Sequence, residues 1–166
     1  WAQIGADIDG EAAGDQSGWS VSLSSDGSVV VIGARLNDGN GSNSGSVRLY
    51  KNTAGTWAQI GADIDGEAAN DESGFSVSLS SDGSVVAIGA PNNDGNGSYS
   101  GSVRLYKNTG GTWAQIGADI DGEAADDYSG SSVSLSFDGS VMAIGADFND
   151  GANGVDSGSV RLYKNI

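Results

Sequence analysis

The sequence has no cysteine and no histidine, and only one proline among its 166 residues. Without cysteine no disulfide can form, and without thiolate or imidazole ligands the usual transition-metal sites are excluded. A Ser-His-Asp or Cys-His nucleophile is excluded for the same reason. The recurring acids lie in glycine-rich turns, which do not place one carboxylate beside another in an apolar site. We therefore expect that the protein is not an enzyme.

Basic residues are scarce as well. Seven Lys and Arg oppose 22 Asp and Glu, which gives a formal net charge of −15. Such a surface repels the phosphates of nucleic acid and of anionic lipid. No apolar run is long enough to cross a bilayer. We expect no nucleic-acid partner and no membrane insertion; divalent cations, or solubility alone, remain as reasons for the acidic surface.

The chain repeats itself over nearly its whole length. The stretch at 17–52 returns almost unchanged at 73–108, and again with one inserted residue at 129–165. A repeat of this length is typical of propeller blades, in which one unit cannot bury its own apolar surface. The repeats begin at Trp1, Trp57 and Trp113 and divide residues 1–166 into about 1–56, 57–112 and 113–166.

Each copy has the pattern of four short strands. In the first copy WSVSLS alternates polar and apolar residues, SVVVIGA is almost entirely apolar, and SVRLYKN alternates again. WAQIG, at the start of the next copy, is the fourth strand. The SSDG segment between the first two strands predicts a type I′ turn. The pattern predicts an all-β fold, a β-propeller of four-stranded antiparallel blades with three blades per chain. A three-unit β-solenoid is the alternative, although its repeats are usually shorter.

The second copy resembles an FG-GAP repeat, the blade unit of integrin-α-like propellers and of many secreted bacterial adhesion proteins. The matching segments are Gly74-Phe75-Ser76-Val77, Ile88-Gly89-Ala90-Pro91, and Gly101-Ser102-Val103 followed by Leu105-Tyr106. Because the other copies carry equivalent segments, the resemblance extends over essentially the whole chain. It implies an extracellular, secreted or cell-surface protein. Only residues 24–27 and their equivalents join the first two strands, too few for the calcium loop of the family, so the family's calcium ligands are not carried over.

The chain opens with WAQIG, the sequence of a fourth strand, and its last copy stops before one. We expect residues 1–5 to complete the last blade of a neighbouring chain, because a ring of only three blades demands too steep an angle between sheets. Head-to-tail contacts of this kind form rings where the rotation closes. The predicted fold is therefore a ring closed by oligomerisation with strand exchange. Its partner is a second copy of the chain, in a dimer of six blades or a trimer of nine.

The connector DIDGEAAGDQSG, between the fourth strand and the next first strand, is a candidate calcium loop. Its acids fall at loop positions 1, 3, 5 and 9, which is the spacing of EF-hand ligands. The glycine stands at position 4 instead of 6, and capping of turns by Asp side chains explains the same residues. Calcium is the one candidate cofactor. Its candidate ligands are Asp7, Asp9, Glu11, Asp15, Asp63, Asp65, Glu67, Asp71, Asp119, Asp121, Glu123 and Asp127.

A few positions differ between copies, while the strands hardly change. They lie in or beside this connector and the loop between the second and third strands, which emerge on the same face of an up-and-down blade. Loops on a rigid scaffold are the usual place for binding, and aromatic rings among Asp and Asn suit a sugar ring. Drift after duplication is the alternative explanation, and Trp19 and Phe75 also suit the core. The candidate ligand-face residues are Trp19, Arg35, Leu36, Phe75, Tyr99, Tyr128 and Phe148.

These features leave three functional hypotheses. The first is a non-catalytic extracellular binding or adhesion module that self-assembles into a ring and recognises a glycan or an extracellular protein. The second is a purely structural or engineered repeat fragment with no ligand, favoured by the near-identity of the copies. The third is a carboxylate-dependent carbohydrate-active enzyme, which needs a cleft of paired acids that the sequence does not reveal.

Overall fold

The computed structural model describes residues 1–165, which form three antiparallel β-sheets in succession along the chain. In this part of the chain no helix has the length and apolar character needed to cross a membrane. Blade 1 contains β1 (Ser17–Leu23), β2 (Val29–Ala34), β3 (Ser46–Thr53), β4 (Thr56–Gln59) and β5 (Ile64–Asp65). Blade 2 contains β6 (Ser76–Leu79), β7 (Val85–Ala90), β8 (Ser102–Thr109), β9 (Thr112–Gln115) and β10 (Ile120–Asp121). Blade 3 contains β11 (Ser132–Leu135), β12 (Val141–Ala146) and β13 (Ser159–Lys164).

The first three strands of each blade form an up-and-down meander, as the alternating sequences predicted. In blade 1, Ile32 of β2 lies between Val21 of β1 and Arg48 of β3. Blades 2 and 3 repeat these pairings. The all-β class and the three blade-like sheets are therefore confirmed.

The fourth strand is longer than predicted and is broken in the middle. β4 pairs with the C-terminal half of β3, and β5 pairs with its N-terminal half, where Ile64 lies opposite Val47. Blade 2 repeats this arrangement with β9 and β10. The start of the predicted connector thus belongs to the edge of the blade, because Ile64 buries its side chain in the core only by rejoining the sheet.

The hairpin between the first two strands is not the predicted type I′ turn. The Gly27 N–H donates to the Ser24 carbonyl over 2.9 Å, and Gly27 has a φ of 70°. A type I′ turn requires positive φ at Asp26 as well, and Asp26 does not have it. The prediction was wrong because the Asp26 side chain stabilises a different turn: its carboxylate accepts hydrogen bonds from the Ser24 hydroxyl and the Ser28 N–H.

The first strands of the three blades, β1, β6 and β11, lie side by side. The Ser20 hydroxyl of blade 1 donates to the Gly74 carbonyl of blade 2 over 2.7 Å, and Ser76 contacts Gly130 of blade 3 in the same way. Gly89 faces that second carbonyl so closely that a Cβ on it would overlap the oxygen. Small residues therefore set the close approach of neighbouring sheets.

Apolar side chains fill the two interfaces between blades. Blade 2 is covered on both faces, and its strand β7 is buried throughout. The core between blades 1 and 2 contains Val29, Val31, Val47, Leu49, Ile64, Val77, Leu79, Val86 and Ile88, and the core between blades 2 and 3 contains Ala87, Val103, Met142 and Ile144.

The two ends of this row of blades are apolar and exposed. The leading face of blade 1 presents Val21 and Leu23, which are 62% and 57% exposed, and the trailing face of blade 3 presents Val160 and Leu162 at 65% and 73%. Inside the chain the equivalent residues pack together between blades 1 and 2. Those residues are Val77 and Leu79 on one side and Val47 and Leu49 on the other.

A tryptophan ties each fourth strand to the one before it. The indole N–H of Trp113 donates to the Ile60 carbonyl, and that of Trp57 donates to the Ile4 carbonyl, both over 2.9 Å. Residues 1–5 form no strand in the described chain. Ile4 nevertheless bears the same relation to blade 1 that Ile60 bears to blade 2, while the side chain of Trp1 is fully exposed.

Candidate ligand-binding face

The two loops that carry the variable positions meet at one face of the molecule, as predicted. The Arg35 Nε–H donates to Gln16 Oε1 over 2.9 Å, which joins the β2–β3 loop to the connector before β1. Its Nη1 lies 2.7 Å from Glu72 Oε2 of blade 2. Arg35 therefore links variable positions both within a blade and between blades.

Arg35 also stacks on two aromatic side chains. Its guanidinium carbon lies 3.8 Å from the centre of the Trp19 ring and 5.7 Å from that of Phe75. The two rings are themselves 5.7 Å apart. A cation held over aromatic faces is attracted by their negative centres. The blade 1–2 interface thus supplies its own cation for this aromatic pair.

A second aromatic group spans blades 2 and 3. Tyr99 and Tyr128 are stacked, with ring centres 5.5 Å apart and an angle of 9° between planes. Phe148 lies 5.3 Å from Tyr128 in a tilted arrangement. Tyr99 and Tyr128 have φ values of 52° and 53°, a conformation that costs a residue with a side chain about 1 kcal/mol or more. Glycine at these two positions would adopt the same conformation without this cost.

Tyr128 and Phe148 border a cleft of about 520 Å³ between blades 2 and 3, whereas Tyr99 lies outside it. Partial burial and, after it, the negative charge of Asp126 raise the pKa of Tyr128, so its hydroxyl is neutral at physiological pH. The cleft combines aromatic walls with several polar and charged groups, which can orient a small ligand. Its lining consists of Arg35, Glu72, Phe75, Pro91, Asn92, Tyr128, Ser131, Ser132, Asp147 and Phe148.

Six of the seven predicted ligand-face residues take part in these two aromatic groups. Leu36 does not; it is half-buried and its N–H donates to the Asp15 carbonyl. Glu72, Pro91 and Asp147 line the cleft but were missed as candidates, although all three stand at positions that vary between copies. Ser131 stands at a position that varies between copies, where the other copies have Trp19 and Phe75, whereas Ser132 carries no signal in the sequence that sets it apart from the other serines.

The acids predicted as calcium ligands are not brought together. Among residues 1–165 no group of three or more acidic side chains has the arrangement needed to hold a metal ion. In the first copy Asp7 accepts a hydrogen bond from Gln3, while the Asp9 carbonyl accepts one from Arg48. Glu11 lies 4.0 Å from that same guanidinium. Calcium binding stays a prediction, and the geometry does not support it.

The fourth acid of each copy is a buried structural bridge. Asp15 Oδ2 accepts hydrogen bonds from Asn37 Nδ2 over 2.9 Å and from the Ala12 N–H over 3.1 Å. Asp71 and Asp127 repeat both contacts. Since Asn37 begins the β2–β3 loop and Asp15 ends the connector, the pair fixes the two variable loops to each other. Buried carboxylates need such partners.

One carboxylate has a raised pKa outside this face. Partial burial raises the pKa of Glu67, with the Arg104 guanidinium opposing it and the negative charge of Asp119 adding to it. The Glu67 side chain is 40% exposed and does not border the aromatic cleft. Glu67 therefore does not supply the enclosed pair of acids that a carboxylate-dependent carbohydrate-active enzyme requires.

The fold and this face define a propeller-type repeat protein whose loops vary on a constant scaffold. The FG-GAP repeat model matches residues 6–50 and 58–106, more than half of the chain. The chain belongs to the FG-GAP repeat family, as its motifs indicated. FG-GAP repeats are typical of extracellular or surface proteins.

Two solved structures share the fold at low identity. Hydrazine synthase from Kuenenia stuttgartiensis superposes with a TM-score of 0.55 and 12% identity over 99% of this chain and 36% of its own. The periplasmic gluconolactonase of Pseudomonas aeruginosa gives a TM-score of 0.58 and 18% identity over 87% of this chain and 38% of its own. The chain thus spans little more than a third of either protein, and the likeness concerns the fold alone. No curated protein matches the sequence.

Proposed function

We propose that this protein is a non-catalytic, extracellular binding module of the adhesion type, which presents its aromatic cleft on a self-assembled propeller ring. The observation that carries the proposal is the cleft itself. Phe75 from blade 2 converges there with Tyr128 and Phe148 from blade 3. The acidic bridges at Asp71 and Asp127 hold the loops in place.

The two apolar end faces support the proposed ring. Because the leading face of blade 1 and the trailing face of blade 3 are copies of two surfaces that pack together inside the chain, they are complementary to each other. A second copy is therefore the occupant that fits both. The contact is head-to-tail, so it continues until the ring closes, with two copies giving six blades and three giving nine.

Strand exchange completes the contact at the outer edge. Trp57 and Trp113 pack beside Gly5 and Gly61, whereas among residues 1–165 no tryptophan packs in this way beside the equivalent glycine, Gly117. A cavity of about 150 Å³ lies there, bordered by Ile116, Met142 and Tyr163 among others. In the proposed ring Trp1 of the next copy fills this cavity and donates its indole N–H to the Ile116 carbonyl.

The mass in solution tests the assembly. We expect light scattering to give a dimer or a trimer of the 16.6 kDa chain, and Leu162→Glu to give a folded monomer. Ala58→Glu is the matched control, because Ala58 stays exposed beside a neighbouring blade and its variant should assemble normally. A monodisperse wild-type monomer would contradict the ring.

A ligand screen tests the binding function separately. We expect the assembled protein to retain ligands on arrays of extracellular glycans and proteins, and Phe148→Ala to weaken retention without changing the mass. Failure of every ligand in the screen would favour the purely structural hypothesis, which the near-identity of the three copies supports.

A further inference from the structure

We propose that Asn153, in the loop between β12 and β13, is a site of selective deamidation, at which the side-chain amide is converted to a carboxylate. The inference is independent of the proposed binding function and comes from a comparison within the chain. An Asn-Gly pair occurs once in each copy, and the structure holds two of the three asparagine side chains while leaving the third without a partner. The pairs are Asn40-Gly41, Asn96-Gly97 and Asn153-Gly154.

An asparagine followed by glycine is chemically labile, because glycine has no side chain to hinder attack by its own backbone nitrogen. The Gly154 nitrogen loses its proton to solvent and bonds to Cγ of Asn153, and the bond from Cγ to Nδ2 breaks with release of ammonia. Water then opens the resulting five-membered succinimide at either carbonyl, which gives aspartate or isoaspartate. Water is the only co-reactant, so the structural requirement is a side chain that can turn towards its own main chain.

The asparagines of the first two copies are fixed to the connector that follows their blade. Asn40 Nδ2 donates to the Gly66 carbonyl over 2.9 Å and to the Glu67 carbonyl over 3.0 Å. Asn96 makes the same two contacts, at the same distances, with the connector that follows blade 2. Since each amide donates to two carbonyls, its side chain turns towards the following nitrogen only after both hydrogen bonds break.

Asn153 has no such partner. The residue is exposed, and its Nδ2 makes no hydrogen bond within residues 1–165. Its loop carries the inserted residue of the third copy, so that Ala152 follows the first glycine of the loop where the first copy has Asn40. The carbonyls that hold Asn40 and Asn96 belong to the next connector, and blade 3 has no following connector within the described residues. The Asn153 amide is therefore free to turn.

Two other features do not separate the three sites. All three asparagines are exposed, so water reaches each of them. The attacking N–H is engaged to a similar extent in each copy: those of Gly41 and Gly97 each donate to a carbonyl over 3.2 Å, and that of Gly154 donates over 3.1 Å. The hydrogen bonds of the side chain are therefore the difference that sets the relative rates.

Mass spectrometry of tryptic peptides tests the inference, because the three pairs fall on three different peptides, 36–48, 52–104 and 108–161. The full chain is incubated at mildly alkaline pH, and the small gain of mass on conversion of each amide to a carboxylate is followed with time. We expect Asn153 to react about tenfold or more faster than Asn40 and Asn96, because its reaction breaks no side-chain hydrogen bond. Equal rates at the three sites would overturn the inference.

Two controls locate the cause of the difference. In concentrated urea the hydrogen bonds are lost, so the three rates should agree within about twofold. If Asn153 keeps its advantage in urea, its sequence neighbours set the rate and the inference fails. Asn153→Gln should abolish the fast gain of mass in peptide 108–161, because glutamine has one more methylene and closes a larger ring slowly. A gain that persists in this variant belongs to another residue and contradicts the site.

In the proposed ring the loop of blade 3 faces the neighbouring copy, so the wild type is compared with the Leu162→Glu monomer. Rapid reaction of Asn153 in the monomer alone supports the inference for the single chain and shows that the neighbour covers the loop. If the variant does not fold, which rapid reaction at Asn40 reveals, dilution of the wild type replaces it. Slow reaction of Asn153 in both proteins overturns the inference, whereas the ring and the binding function are tested by the mass in solution and the ligand screen.

Discussion

At the scale of single residues, the repeated Ser-x-Asp-Gly-Ser hairpin depends on one carboxylate. Asp138 accepts hydrogen bonds from the hydroxyls of Ser136 and Ser140 and from the Ser140 N–H. These bonds favour the charged form, so they lower the pKa of Asp138 to about 2; the same kind of contacts lowers the pKa of Asp26 to about 2. The Asp-Gly pair therefore stabilises the hairpin through its side chain instead of through a type I′ backbone.

This depressed pKa predicts how acid affects the hairpin. A carboxyl group with a lower pKa in the folded state stabilises the fold above its unfolded pKa and loses that contribution as the pH falls towards 2. We expect Asp138→Asn to melt at a lower temperature than the wild type at pH 6, and the difference to shrink steadily between pH 4 and pH 2. Thermal melts followed by circular dichroism measure it. Asp156→Asn, which removes an equal charge from a loop, should show no such trend.

Gly89 offers a second prediction at this scale. Its φ is negative, so alanine is allowed by the backbone, but the new Cβ would overlap the Gly130 carbonyl of blade 3. We expect Gly89→Ala to lower the free energy of unfolding by about 2 kcal/mol or more, because the sheets must move apart.

The control for Gly89 is Gly110→Ala. Gly110 has a φ of 63° and open space around it, and its equivalent in the first copy is Ala54 with a φ of 53°. The loss there should be about 1 kcal/mol or less, measured by the same urea titration. If Gly110→Ala is destabilised more than Gly89→Ala, close packing of the blades does not explain why residue 89 is a glycine.

At the scale of elements, the sequence predicted the strands well and their edges poorly. The alternation in WSVSLS and SVRLYKN determines which face each residue takes, so β1 and β3 formed where expected. The break in the fourth strand was not predictable from the pattern. The segment IGAD has the composition of a turn, and only the pairing of Ile64 with Val47 shows that the strand resumes after it. Ile64 reveals its role only through a pairing partner that lies 17 residues before it.

The tryptophan ties between fourth strands can be tested as elements. Trp113→Phe keeps an aromatic ring but removes the hydrogen bond to the Ile60 carbonyl, in a partly buried place against the core. We expect the free energy of unfolding to fall by about 1–2 kcal/mol in urea titrations. Trp57→Phe removes the same bond to Ile4 at an exposed place, so it should change stability by about 0.5 kcal/mol or less while releasing residues 1–5 to N-terminal proteolysis. Equal losses of stability in the two variants would contradict a structural tie that is stronger at the partly buried Trp113 than at the exposed Trp57.

At the scale of the whole molecule, the candidate site was predictable as a face but not as a cleft. An up-and-down blade places its two variable loops on the same side, and comparison of the copies identified the residues. The contacts among these residues depend on the offset between neighbouring blades. The sequence pattern of a single copy does not specify that offset. Arg35 therefore reaches Glu72 of the next blade, and Tyr128 is placed between Tyr99 and Phe148, without any signal within a single copy.

The charge of the whole chain also determines how salt affects the proposed ring. Head-to-tail contact buries Val21, Leu23, Val160 and Leu162, which favours association, but it also brings together chains that each carry a charge of −15. Salt at 0.1 M shortens the range of this repulsion to about 10 Å and leaves the apolar contact intact. We expect the dissociation constant of the assembly, measured by sedimentation, to fall as sodium chloride rises from about 0.01 M to 0.3 M. An assembly held by ion pairs between copies would instead come apart over this range, and that result would rule out the apolar end faces as the source of association.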